Sequence, residues 1–311
     1  MTTSHNAKEL IKSQIKNWSL ASNNYTGLQK VKTRTVPLDG GSEVKVQFNP
    51  ERMRSSAAKV DAKSIKARPC FLCHTNRPQE QDGVAFGDFT ILLNPFPIFP
   101  EHLTIPSNEH TLQLLAPHFA SMLSLAKELN AFTVFYNGPK CGASAPDHFH
   151  YQAGMKGFMP IEADFKSGFY AKLKAEQAGV KVFNWEGYGR GVISLVGVDE
   201  KAIIALFESI HALLWAAQDE EIEPMLNVLA YYEDEQYVVH VFPRIEHRPT
   251  CYFKEGDEQI LISPASVDMG GVFITPRPED YEKITAADIE DILNQVCMSE
   301  EDCAKVITKL M

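Results

Sequence analysis

The chain has 311 residues, 44% of them hydrophobic and 23% charged, which suits a soluble globular protein with a sizeable core. A formal net charge of −10 excludes a non-specific nucleic-acid binder, yet it leaves room for a small anionic substrate held by a few local cations and N–H groups. No apolar run approaches the ~18 residues of a transmembrane helix, so no membrane partner is expected.

Leu10, Ile11, Ile15 and Trp18 recur at helical spacing and predict a helix over 6–20. This N-terminal stretch is amphipathic and lacks the apolar centre of a signal peptide, so the expected location is cytoplasmic. Residues 42–49 alternate as a strand does. The segment 51–68 is basic, with Arg52, Arg54, Lys59, Lys63, Lys66 and Arg68, and reads as a solvated linker or as an arm reaching a phosphate. Strands are expected near 88–94 and 102–106. Leu112, Leu114, Leu115, Met122, Leu123, Leu125 and Leu129 predict a long helix over 111–129. A strand at 132–136, a turn-rich loop, a strand at 148–153 and a helix at 161–178 follow.

The second half has a similar flavour. It reads as a strand at 191–196, a helix at 199–217, strands at 225–232 and 237–242, a strand at 271–275, and helices at 285–296 and 299–310. His102-Leu-Thr-Ile-Pro106-Ser-Asn-Glu-His110 resembles His240-Val-Phe-Pro243-Arg-Ile-Glu-His247, an internal echo that a duplicated unit could leave. The expectation is one α+β body over 1–311, with a catalytic half at 40–180 and a second half at 181–311.

The most informative segment is Asp147-His148-Phe149-His150-Tyr151-Gln152. In a strand, His148, His150 and Gln152 share one face, and two imidazoles with an amide are poor core material. The preceding loop, 137–146, is rich in Gly, Ser and Pro, so its backbone N–H groups can approach an anion. Together they read as a nucleotide phosphate site with a histidine nucleophile, although a lone strand histidine is usually structural. Cys70-Phe71-Leu72-Cys73 is the one paired motif among six cysteines, and in a reducing compartment it suggests a metal. His110 and His148 could complete a tetrahedral zinc site, with His74 as a substitute ligand. Two ordinary thiols are the plainer alternative. A redox role is disfavoured, because no βαβ pattern surrounds the pair. Phe135, Phe183 and Trp185 read as core rather than as base-stacking residues.

Cys70, Cys73, His110 and His148-Phe-His150-Tyr-Gln152 follow the order of motifs in the histidine-triad superfamily, and resemble its galactose-1-phosphate uridylyltransferase branch. The resemblance implies a histidine-triad-like antiparallel sheet with flanking helices. It also implies that His148 is a ligand of a structural zinc, that His150 is the nucleophile and that Gln152 contacts phosphoryl oxygens. Phe149 stands where the uridylyltransferases carry proline. The GDP-hexose phosphorylases are more similar: they place an apolar residue between the histidines and have segments resembling 241–252, 263–274, 279–281 and, more loosely, 47–52. Those islands extend over most of 45–305. Cys70 and Cys73 depart from that family's pattern and set the chain between the two. Ap4A phosphorylases are a further relative.

The implied chemistry is a covalent nucleotidyl-histidine. It would form from a nucleoside diphosphate hexose, GDP-hexose favoured, and be discharged by phosphate or a sugar phosphate. The Gly142–Ser144 backbone, the Ser144 hydroxyl, Lys140, Arg244 and Arg277 are candidate phosphate-binding groups, and a homodimer is a further expectation. Rival readings are a uridylyltransferase, an Ap4A phosphorylase, a hydrolase with water as acceptor, a zinc deaminase using Glu109 as base, and a non-catalytic nucleotide-binding protein.

Overall fold

The computed structural model describes residues 2–53, 62–218 and 222–310. Strands β3 (Gly83–Phe86) to β12 (Gln236–Pro243) form one ten-stranded sheet in the order β3-β4-β5-β7-β6-β11-β12-β10-β9-β8. Every neighbouring pair in it is antiparallel. The intermediate strands are β4 (Phe89–Leu93), β5 (His102–Pro106), β6 (Phe132–Asn137), β7 (His150–Met155), β8 (Ala171–Gln177), β9 (Val180–Trp185), β10 (Ile193–Gly197) and β11 (Leu226–Glu233). A smaller sheet joins β1 (Lys32–Pro37), β2 (Glu43–Phe48) and β13 (Val272–Thr275), with β13 parallel to β2.

Strand alternation sorts the apolar residues onto two faces. Phe149, which leads into β7, and Tyr151 and Ala153 of β7, with Tyr237, Val239 and Val241 of β12, pack beneath helices α1 (Thr3–Asn17), α2 (Ser19–Leu28), α4 (Phe119–Glu128) and α6 (Glu200–Ala217), while the short α3 (Ala62–Lys66) lies between β2 and β3 in the chain. The opposite face, carrying Phe135, Leu229 and Phe242, packs against the small sheet and against α7 (Ser266–Met269), α8 (Pro278–Lys283) and α9 (Ala286–Val296). By the same alternation His150 and Gln152 look toward this second face.

The strand order is a repeat. The run β3, β4, β5, α4, β6, β7 is matched by β8, β9, β10, α6, β11, β12, and the two halves meet at the β6–β11 pair. The division therefore falls between β7 and β8, somewhat before residue 181. The echo between His102 and His240 does not track it, because His102 lies on β5 while His240 lies on β12, the counterpart of β7. His240 is fully buried, with its Nδ1 2.8 Å from the Ser194 hydroxyl and its ring edge-on to Trp185, out of reach of a ligand.

Three predicted helices are rearranged. The one over 6–20 breaks at Trp18, which takes an extended conformation (φ −114°, ψ 109°) so that its ring reaches the core. The one over 111–129 forms only from Phe119, because Pro117 has no N–H and crowds the preceding turn. The helix over 161–178 is α5 (Pro160–Ser167) alone, ended by Gly168 at φ 66°. Ala171–Gln177 and Val180–Trp185 then form a hairpin whose two turn residues, Ala178 and Gly179, both have positive φ.

The last helix, α10 (Glu300–Leu310), is fastened by its first residue. The Glu300 carboxylate accepts hydrogen bonds from the N–H groups of Gly187, Tyr188 and Gly189 at 2.8, 2.7 and 2.9 Å. Glu300→Ala is expected to lower stability by about 2 kcal/mol, read from the urea midpoint at unchanged slope. An unchanged midpoint would show that water replaces the carboxylate without loss.

Candidate active site

The β7 strand begins where the turn-rich loop ends, and the bonds around that junction fix each functional side chain. His148 is buried. Its Nε2 lies 2.9 Å from the Ser107 carbonyl, which can only accept, so Nε2 carries the proton and Nδ1 keeps a lone pair. That Nδ1 is 3.3 Å from Cys70 Sγ and 3.5 Å from Cys73 Sγ, and Cys73 Sγ is 3.1 Å from His110 Nδ1. The four ligand atoms all lie within 4.8 Å of one another. Tetrahedral zinc with bonds of about 2.0–2.3 Å places neighbouring ligands roughly 3.3–3.8 Å apart, so this donor set fits the ion. The Ser107 carbonyl supplies the outer bond that orients a metal-bound imidazole. His74 is exposed on a turn next to the cluster and is not one of the four. Glu109 is also outside the group.

His150, two residues on, is 4% exposed. Its Nδ1 lies 2.8 Å from the His148 carbonyl oxygen and must donate to it. The lone pair is thereby assigned to Nε2. Burial pushes the imidazole's pKa down to about 4, so the ring is neutral at pH 7. A neutral imidazole with a fixed tautomer is a competent nucleophile.

Gln152 is oriented by a buried relay. The Ile98 N–H donates to His102 Nδ1 at 3.2 Å, so the His102 proton is on Nε2. That proton meets Gln152 Oε1 at 3.0 Å, and Asn94 Nδ2 donates to the same oxygen at 3.2 Å. His102 is fully buried, and burial pushes its pKa down to about 3, which keeps it neutral. The Gln152 amide is thus set with its NH2 as the group left to meet a ligand.

Gln152, Ser144 and Gly142 line a polar cavity of about 60 Å3, together with Asn137, Arg52 and Asp268. Gly142 has φ +93°, and a Cβ there would come within 2.5 Å of the Ala265 Cβ, so the loop approaches α7 only because this residue is glycine. Arg52 is held by the Phe96 carbonyl at 2.9 Å; burial pulls its pKa to about 10, leaving it protonated at neutral pH. Asp268 accepts from the Ala265 and Ile274 N–H groups at 2.8 and 3.2 Å, and burial pushes its pKa up to about 6.

The cations singled out in the sequence are placed differently. Arg244 is fully buried, and its guanidinium donates to Asn227 Oδ1 and to the carbonyls of Val296, Pro264, Glu246 and His247. It is a structural clip behind the site and cannot turn toward a phosphate. Arg277 caps α8 and is paired with Asp280 at 2.7 and 2.8 Å, outside the cavity lining. Lys140 is exposed on the loop, within electrostatic reach of His247 rather than in the lining. Among the described residues, Arg52, from the basic segment, is the cation that lines the cavity. Arg68 binds the Ser144 carbonyl and Asp147 and so braces the loop. Arg54 and Lys59 lie outside the described residues. Asn137, His102 and Asp268 were not singled out as site residues, and single polar residues in apolar strands, like Asn137 and His102, or in a four-residue helix, like Asp268, give no signal that could have done so.

Residues 166–311 match the family model described as GDPGP1-like, C-terminal domain. Residues 10–155 match a family described as a domain of unknown function, DUF4922. Among solved structures, the yeast Ap4A phosphorylase Apa2 in complex with AMP has 18% identity and a TM-score of 0.65, covering 96% of this chain and 99% of that one. The same protein in complex with Ap4A has 17% identity and a TM-score of 0.58, covering 91% and 97%. No curated protein matches the sequence. The likeness in fold to that Ap4A phosphorylase extends over nearly the whole of both chains. Among the described residues, no helix is long and apolar enough to cross a membrane.

Proposed function

We propose that this chain is a nucleotidyltransferase that phosphorolyses a nucleoside diphosphate hexose, GDP-hexose in the first instance. The observation that carries the reading is the His150 imidazole, neutral and with Nδ1–H tied to the His148 carbonyl. It sits on the same strand face as a Gln152 amide whose orientation is fixed. The GDPGP1-like match over the second half supports the choice of donor.

In the first step His150 Nε2 attacks the α-phosphorus. The N–P bond forms as the bond to the bridging oxygen breaks, and hexose-1-phosphate leaves. In the second, an oxygen of inorganic phosphate attacks the same phosphorus, the N–P bond breaks, and the nucleoside diphosphate leaves with His150 restored. Two displacements at one site give ping-pong kinetics. The Gly142–Ser144 backbone, the Ser144 hydroxyl, the Gln152 NH2 and Arg52 are the groups available to the phosphoryl oxygens. Zinc held by Cys70, Cys73, His110 and His148 has a structural role, tying the 70–73 knuckle to the start of β7.

The test is intact-protein mass after mixing with GDP-glucose, UDP-glucose or ATP without phosphate. A gain of one nucleoside monophosphate identifies the base, and its release as nucleoside diphosphate on adding phosphate identifies a phosphorylase. Measurable nucleotide binding with no adduct from any donor would favour a non-catalytic binding protein. Gln152→Ala is expected to slow adduct formation by about 100-fold, the usual cost of one lost donor to a developing oxyanion. His102→Leu, which removes one of the two donors that orient the Gln152 amide and leaves only Asn94, is expected to cost about 10-fold in the same assay while leaving the Gln152→Ala variant no slower. Additive losses would show that His102 does not act through Gln152.

A further inference from the structure

The ladder between β6 and β7 stops before it reaches the nucleophile. It pairs Phe132, Thr133, Val134 and Phe135 with Met155, Gly154, Ala153 and Gln152. Continuing that register would set Asn137 opposite His150, but the strands part there. The side chain of Gln113 occupies the gap. Its Oε1 accepts the His150 N–H at 2.8 Å, and its Nε2 lies 2.9 Å from the His150 carbonyl and 3.0 Å from the Asn137 carbonyl. One amide thus makes both main-chain bonds that a neighbouring strand would give His150, and also holds the strand that has moved away.

Gln113 is itself immobilised. It is fully buried, its N–H donates to the Pro146 carbonyl at 3.2 Å, and its own carbonyl is 3.0 Å from the Tyr136 hydroxyl. On the other edge of β7 the Ser107 N–H donates to the Phe149 carbonyl at 2.9 Å, so by the antiparallel alternation the N–H and carbonyl of His150, opposite Pro106, face away from β5 and toward the gap. The main chain of His150 therefore depends on the Gln113 side chain. The opened strands also admit the 138–147 loop that reaches the cavity.

We infer that Gln113 is a positioning residue for the nucleophile: it stands in for a β-strand and fixes the placement of the His150 backbone, and through it the Nε2 lone pair, relative to the phosphoryl site. This rests on the reading of His150 as nucleophile. A misplacement of ~1 Å costs up to about 100-fold in such a reaction.

The experiment compares wild-type, Gln113→Met and Gln113→Glu for adduct formation at saturating donor and for donor Kd. Gln113→Met keeps the length without hydrogen bonds. Gln113→Glu keeps an acceptor for the His150 N–H but, even as the neutral acid that burial favours, offers at most one donor to the two carbonyls. Both are expected to slow adduct formation by roughly 30- to 100-fold with donor Kd within about twofold of wild type. Met122→Ala, a buried change on α4, serves as the stability control and is expected to lower Tm without changing the rate per folded molecule. Rates within threefold of wild type in both Gln113 variants would overturn the inference, as would losses that only follow the folded fraction. Should neither variant fold, amide exchange at His150 in the wild-type protein decides. Protection equal to that of Ala153 supports the strand mimic, and exchange at loop rates overturns it. A wild-type protein that forms no adduct with any donor would instead refute the reading of His150, and the exchange measurement would still test the role of Gln113.

Discussion

His150→Ala is expected to yield a folded protein that forms no nucleotidyl adduct and turns over at least ~10^4-fold more slowly than wild type, on the scale of losing a nucleophile that acts as part of a unit. The size follows from the placement of the ring. The proton of His150 is assigned by the His148 carbonyl at 2.8 Å, and its charge is removed by burial, so the lone pair is presented without prior rearrangement. The adjacent histidines cannot replace it: His148 faces the cysteines and His102 faces Gln152. Donor binding should change little, because the anion-binding groups of the cavity remain. The measurement is single-turnover adduct formation beside equilibrium titration with the same nucleotide sugar. A variant retaining a tenth of wild-type turnover would mean that the acceptor attacks the nucleotide directly and that the covalent route is wrong.

The parts of this site that were legible in the sequence are those whose partners are written nearby or in a fixed order. His150 and Gln152 alternate along β7 as their spacing requires, whereas His148, expected on the same strand, lies at the bend that leads into it and turns toward the cysteines. Cys70 and Cys73 declare a knuckle by their spacing, and His110 and His148 join them through the sheet that the same sequence specifies. What escaped is held by partners far along the chain. Gln113 sits in a leucine-rich stretch that satisfies a helical period, yet its backbone is drawn to Pro146 and its side chain to β6 and β7. Pro117 was the local sign that a helix could not run through. Arg244 and Arg52 show the same limit for charge. Each is an arginine within two residues of a proline, but one is surrounded by carbonyls and the other faces the cavity, and only packing separates them. The duplication was legible as an impression but its alignment was not. The strand order defines it, and the short His–Pro echo crosses its register.

The second large effect is expected from the cysteines. Cys70→Ser should reduce bound zinc from one ion per chain to under a tenth, lower stability by about 4 kcal/mol, roughly 10 °C in Tm for a chain of this size, and slow adduct formation as well. The loss of rate is the more informative part. His148 uses its two ends for two tasks: its Nδ1 is aimed at the cysteine sulfurs, while its carbonyl holds the Nδ1–H of His150. An ion on that imidazole therefore pins the peptide that assigns the nucleophile's tautomer, although it touches neither substrate nor His150. Without it, the segment 70–73 is held against the loop by a small apolar cluster of Cys70, Leu72 and Ala145 and by Arg68, which lies over the Phe71 ring and bonds to the Ser144 carbonyl and Asp147. Metal content by atomic spectroscopy, melting temperature and adduct rate, measured on the same preparations, separate the possibilities. Parallel losses of all three support a structural zinc that also positions His150. A zinc-free protein with undiminished Tm and rate would reduce the four side chains to a hydrogen-bonded cluster. A protein that keeps its Tm but loses all activity, restored in proportion to added zinc, would instead point to a metal with a direct part in the reaction.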